Sequence, residues 1–292
     1  MVEQGTRLPE LRERIRRIER PTLAVHGVLP FGIAAIDRVL PGGGLTRGAL
    51  HEILGIGGDE EDGALAAAFA AVIVGRLRPH PTPGTPALAG GRPGAPPQAG
   101  EGRGGGMVLW CLSRPDLYGP GLAIHGLDPA RLVLVRAPRA AEILWAMEEG
   151  LRAPGIAAVV GEVGSLAAVA SRRLQLAAER SGITAFLLRR WRDGGQAARE
   201  RNLPNAAVTR WRIAALPSQP PPIPSTASGG GLGWGSGVGH PRWRVELLRC
   251  RGGEPACWEV EVADATGHVS LASALADRPA APVSAEQFRR AG

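Results

Sequence analysis

The stretch from Leu29 to Leu65, LPFGIAAIDRVLPGGGLTRGALHEILGIGGDEEDGAL, constrains the fold of this chain more than any other. It reads as a turn, a short helix, a glycine bend, a β-strand, a glycine-rich loop and an alanine-rich helix running from Ala64 to Arg78. Strand, glycine loop and helix in that order form the entrance to a mononucleotide-binding fold. In a working phosphate loop, G-x-x-x-x-G-K-[ST] wraps backbone N–H groups around phosphates, its Lys neutralises charge, and its Ser/Thr holds Mg²⁺. With Gly58 and Gly63 as the motif glycines, Ala64 stands at the Lys position and Leu65 at the Ser/Thr position, with Asp59, Glu60, Glu61 and Asp62 in between. Starting at Gly55 instead puts Glu60, Glu61 and Asp62 on the last three positions.

Either register leaves a loop that repels a triphosphate. One carboxylate opposes a phosphate charge by about 1 kcal/mol at ~4 Å in water, while a helix N-terminus returns only about 0.3–2 kcal/mol. All 34 basic residues are arginine, so no distant lysine can supply the missing ammonium. The acids have a second reading, as first-turn residues that favour the dipole of an ordinary helix. The loop alone does not separate the two, and the frame around it carries the decision.

That frame consists of Gly32, Ile36-Asp37, Gly43-Gly44-Leu45, Gly48 and Glu52-Ile53-Leu54-Gly55, spaced like the run that leads RecA-type recombinases into their phosphate loop. Similarity continues at Gly126-Leu127-Asp128, at Gly155 to Leu166, at Ser171-Arg172-Arg173-Leu174-Gln175-Leu176-Ala177 and at tryptophan–arginine strands near the C-terminus, so it covers most of the chain. The degenerate loop and those strands resemble more closely the RecA-like bacterial family called ImuA, found beside an error-prone polymerase in damage-inducible operons. The resemblance implies an α/β fold, a mostly parallel sheet with helices on both faces and an antiparallel C-terminal extension. It also implies a non-catalytic accessory protein of SOS-type error-prone translesion synthesis, organising an inactive Y-family polymerase homologue and an error-prone replicative polymerase. RecA itself is a further implied partner, and the cytoplasmic nucleoid the implied location. Three rival functions stand beside it: an ATP- and DNA-binding recombinase or motor, a SulA-like cell-division inhibitor, and a plain single-strand DNA-binding module.

Carried onto this chain, the resemblance puts the water-activating glutamate of active members at Arg114, whose guanidinium stays protonated and cannot act as a base. Asp116 is the fallback. The apolar strand Gly155 to Gly161 ends on Gly161, where active members carry a Mg²⁺-organising Asp, and simple alternation turns Glu162 to the other side of the strand. The expectation is a pseudo-ATPase with no catalytic residue, no cofactor and no metal.

The rest of the chain divides by composition. Residues 1–20 hold an amphipathic helix with Leu8, Leu11, Ile15 and Ile18 on one face, packing either on its own domain or, as the N-terminal helix of recombinases does, on a partner. Residues 21–276 read as one domain carrying Gly/Pro inserts at 79–106 and 217–241, and residues 277–292 as a frayed tail. Met107–Leu112, Leu132–Arg136 and Ile183–Leu188 read as strands, Ala141–Leu151 and Leu166–Arg180 as helices, the second with Leu166, Val169, Leu174 and Ala177 inward.

A net charge of +7 points to an acidic partner, although an arginine-only composition also follows from GC-rich coding. The candidate contacts for DNA or a partner lie in the loop Arg189 to Asn205, at Arg189, Arg190, Trp191, Arg192, Arg199 and Arg201, and on two strands, at Arg210, Arg212, Arg242 and Arg244. A solvated charged loop is the plainer reading of the first group. Period-two alternation buries Trp211 and Trp243 and leaves the strand arginines on the opposite face. Cys111, Cys250 and Cys257 form no C-x-x-C pair, which favours a reducing compartment, and no 18-residue apolar run suggests a membrane span.

Overall fold

Strands buried on both faces of a parallel sheet tend towards continuous apolar runs rather than alternating ones, and four segments of this chain are buried over nearly their whole length, one of them carrying His51 and Glu52 among its apolar residues. They are β3 (Leu50–Gly55), β4 (Met107–Leu112), β6 (Ile156–Val163) and β7 (Thr184–Arg189). The computed structural model describes residues 25–57, 59–78, 106–191, 193–218, 241–262 and 269–271, with the backbone alone at 60–62, 269 and 271. The expected helix at 8–20, the tail at 277–292 and nearly all of both inserts lie outside these residues.

Nine strands form one sheet in the order β11-β10-β9-β8-β3-β7-β6-β4-β5. The strands β5 (Leu132–Arg136), β4, β6, β7, β3 and β8 (Thr209–Leu216) run parallel. The strands β9 (Arg242–Cys250), β10 (Ala256–Val262) and β11 (Val269–Leu271) then extend the sheet antiparallel. A separate two-stranded ribbon joins β1 (Val28–Leu29) to β2 (Leu45–Thr46), flanking helix α1 (Ala34–Asp37). This is the RecA-like α/β architecture that the sequence led us to expect.

One face of the sheet is covered by α2 (Asp59–Val74), whose Phe69, Ala70, Val72 and Ile73 are buried with Trp110, Val160 and Trp211. A short helix, α3 (Gly119–Ile124), lies beside α2. The other face is covered by α4 (Ala140–Gly150) and α5 (Ala168–Ser181), which bury Met147 and Leu174 against Val159 and Leu187. Under the C-terminal extension, rings run in series from Phe31 to Trp211, Phe69 to Trp211 and Trp211 to Trp258, with centroids 5.4, 5.7 and 6.2 Å apart.

Three expectations need correction. Helix α2 begins at Asp59, not Ala64, so the acidic run is its first turn rather than a loop. Val169 of α5 is 73% exposed, because the inward arc is Ser171, Leu174, Gln175 and Ala178. Gln175 is drawn in by the β3 backbone, its Oε1 accepting from the Leu50 N–H at 2.8 Å. The third concerns Arg189 to Asn205, which is not all loop: β7 includes Arg189, and α6 (Gly194–Glu200) follows, capped by the Asp193 carboxylate on the Gln196 N–H.

Candidate functional site

The carboxyl ends of β3, β4, β6 and β7 open onto one crevice, the place where open α/β sheets bind ligands. Side chains alternate along β6, and Ala158 and Val160 face the α2 side with Trp110. Glu162 shares that face, so it points into the crevice, the reverse of the expected direction. Gly161 is the residue turned away, beneath α4, where an added Cβ would lie 2.1 Å from the Met147 sulfur. Glycine stands there for helix packing, and the strand position that faces the phosphate loop is occupied by an acid.

That acid is held in an ionic knot centred on Arg190. The Arg190 Nε and Nη2 donate to the two Asp59 oxygens at 2.5 and 2.6 Å. Its Nη1 and Nη2 donate to the two Asp116 oxygens at 2.8 and 2.7 Å, and Nη1 donates to Glu162 Oε2 at 2.6 Å. A guanidinium has five N–H donors, and all are consumed. Glu162 Oε1 accepts from the Trp110 indole N–H at 2.8 Å, and Asp59 Oδ2 accepts from Arg114 Nη1 at 2.7 Å.

Burial and pairing pull on the ionisation of Arg190, Glu162 and Asp116 in opposite directions. Burial works against the Arg190 charge, but the Asp116, Asp59 and Glu162 carboxylates overcome it and hold its pKa above the ordinary arginine value. Burial likewise pushes Glu162 up, only partly offset by Arg190 and the Trp110 N–H. The Arg190 hydrogen bond holds Asp116 below the usual carboxylate range.

Among the described residues the acidic run forms no open phosphate loop. The residues between the two motif glycines are helical. The leading amide of α2, Asp59 N–H, donates to the Trp191 carbonyl at 2.9 Å, so a donor that a phosphate oxygen would use is already taken. Gly63 is needed for the knot itself, since a Cβ there would meet Asp59 Oδ1 at 2.3 Å. Arg114, at the position of the water-activating glutamate, and Asp116, the fallback base, are both tied into ion pairs.

Three of the arginines read as a contact surface, and the tryptophan among them, are turned inward. Arg189 is 4% exposed and lies between Glu52 and Glu200, Trp191 is 1% exposed, and Arg210 is 8% exposed with its Nε on Glu52 at 2.5 Å. With Arg190 in the knot, these four face carboxylates or core and offer no free surface to DNA. The indole of Trp191 is buried with Leu54 and Ala197 and donates to the Gly164 carbonyl. Arg201 donates to the Ile56 carbonyl at 2.6 Å, fastening the segment to the glycine loop. Arg212 pairs with Glu246, while Arg242 and Arg244 pair with Glu259. Arg199 is exposed, and Arg192 and the face formed by Leu8, Leu11, Ile15 and Ile18 lie outside the described residues.

Sequence reasoning missed the joining of Glu162, Asp59 and Arg190. A usable signal was present: four successive acids in a chain without lysine call for an arginine opposite them.

A mostly parallel sheet with helices on both faces, an antiparallel C-terminal extension and an ionic knot at the carboxyl ends of its central strands places the chain among proteins of RecA-like α/β fold. No family model matches the chain. Two curated relatives, each named Protein ImuA, come from Caulobacter vibrioides strains NA1000 / CB15N and ATCC 19089 / CIP 103742 / CB 15. Each is 40% identical over 281 residues, spanning 94% of this chain and 100% of the relative. The chain belongs to the ImuA family. No helix among the described residues is long and apolar enough to cross a membrane.

Proposed function

We propose that this chain is a non-catalytic RecA-like adaptor of damage-induced, error-prone translesion DNA synthesis. It brings together an inactive Y-family polymerase homologue and an error-prone replicative polymerase, with RecA as a further partner and the nucleoid as its place of work. One observation carries the non-catalytic part: all five Arg190 N–H groups are spent on Asp59, Asp116 and Glu162 inside the crevice. A triphosphate would have to break those bonds and then face the carboxylates they neutralised. Membership of the ImuA family supports the pathway. The fold is kept for its surfaces, and any direct DNA contact falls to exposed positions such as Arg199 and Arg244.

Titration of Mg·ATP into the full chain is expected to give no saturable heat at concentrations up to about 1 mM, and binding at about 1 µM (about −8 kcal/mol) overturns the reading. Affinity capture from DNA-damaged cells is expected to recover both polymerase-type partners, and to fail after deletion of residues 1–20 where the N-terminal helix is the docking element. Recovery of a tubulin-like division protein in their place would favour the division-inhibitor function.

A further inference from the structure

A cavity of about 380 Å³ opens between α2 and α3, next to the Arg190 knot. It lies at the small end of the size range that holds ligands, roughly 300–1,000 Å³. Its walls are apolar and small, with Ala64 and Ala67 on one side and Leu117, Gly121 and Leu122 on the other. Tyr118 stands at the cavity 71% exposed, and Ile124, at the end of the same helix, is 59% exposed. The floor is ionic, formed by Asp59, Asp116, Glu162 and Arg190.

Donor and acceptor counts on this floor decide what can enter. Arg190 has no N–H left to give. Asp59 and Glu162, 3% and 2% exposed, are spent on Arg190, Arg114 and Trp110, whereas Asp116, 45% exposed, keeps lone-pair sites open to the cavity. Their charges exceed those of Arg190 and Arg114 by one. His125 also lines the cavity, with a buried Nδ1 that has no hydrogen-bond partner in the described structure. With no N–H left on Arg190 and one negative charge in excess, the floor favours a cation over phosphate, carboxylate or nucleotide. An arginine side chain suits it best: its methylene stem matches the alanine and leucine walls, its planar head matches a carboxylate, and the Tyr118 ring offers a face for stacking.

We propose that this cavity is an anchor pocket for an arginine side chain of a partner protein, so that a site built on a phosphate-binding frame has reversed its charge preference. A pocket filled by one arginine beside an exposed tyrosine has the form of an interface hot spot. The inference rests on the adaptor reading and names the chemistry of one contact within it.

Tyr118 is the only tyrosine in the chain, so full-length protein labelled with 3-fluorotyrosine carries one fluorine reporter at this site. Titration with N-acetyl-arginine amide is expected to shift that resonance saturably, with a dissociation constant of about 1–10 mM, as one side chain can supply only about 3–4 kcal/mol. N-acetyl-norleucine amide at the same concentrations is expected to leave it unmoved. Asp116→Asn should weaken binding by about tenfold, the worth of one charge-assisted hydrogen bond. Ala67→Phe, which fills the cavity from the α2 side, should abolish it, with unchanged near-UV circular dichroism certifying the fold. An absent or unsaturable shift, an equal shift from the norleucine amide, or full binding by folded Ala67→Phe each overturns the proposal. Failure with arginine alone leaves the adaptor reading standing, whereas a saturable shift with Mg·ATP removes that reading too.

Discussion

Arg190 and Glu162 lie in a site where the number of donors matters more than net charge. Glu162 has a side chain 2% exposed and depends on Arg190 for a counter-ion. Breaking a buried pair by removing one partner costs about 3–5 kcal/mol, so Arg190→Ala is expected to lose that much stability in urea unfolding followed by tryptophan fluorescence. Arg190→Lys should recover only part of the loss, because an ammonium has about three donors against five. A loss under about 1 kcal/mol for Arg190→Ala would be that of a surface pair and would contradict a structural knot. Local sequence shows four acids in need of an arginine, but not that Arg190 is the one that meets them. Arg189, Arg190 and Trp191 resemble a nucleic-acid contact when read as a string, and it is their carboxylate partners that turn them inward.

Helix α2 was legible as an element but not at its boundary. Its alanine-rich run announces a helix packed closely on a sheet, but helical winding through Asp59 depends on contacts from Trp191 and Arg190, far along the chain. The far end of the helix is set by close approach: a Cβ on Gly75 would lie 2.3 Å from the Gly126 carbonyl oxygen. Backbone on both sides cannot give way as a side chain can. Gly75→Ala is therefore expected to cost about 1–3 kcal/mol or more by overpacking, measured by thermal or urea unfolding. Gly194→Ala is the control: nothing lies within 4 Å of its added Cβ, and alanine is the better helix former by about 1 kcal/mol. Equal stability of the two variants would show that the α2 end is not tightly seated. At Gly161 the residue was read correctly and its role was not, because the strand's facing, and hence the presence of Met147, is decided by the layer above it.

At the scale of the whole molecule, His51 ties the centre of the sheet together. It is fully buried on β3, with Nδ1 hydrogen-bonded to Thr209 Oγ1 of β8 at 2.7 Å and Nε2 to the Thr46 carbonyl of β2 at 2.8 Å. Burial lowers its pKa from 6.5 to about 4, against a smaller upward pull from the Thr46 carbonyl. The unfolded imidazole takes up its proton below pH 6.5, while the folded one resists until about 4. Its contribution is thus complete above pH 6.5 and is lost as pH falls towards 4, at about 1.4 kcal/mol per unit. Urea midpoints should fall between pH 7 and pH 5 in the wild type and fall less in His51→Gln, and parallel slopes would remove His51 from the acid response. The same division between local and distant causes holds for the entire chain. Its sequence alone determined the sheet class, the apolar central strands and the burial of Trp211 and Trp243, because periodicity and residue type act within a few positions. Only the tertiary structure decided what fills the crevice, because Asp59 and Arg190 stand 131 positions apart and meet only after the sheet has set β7 beside β3.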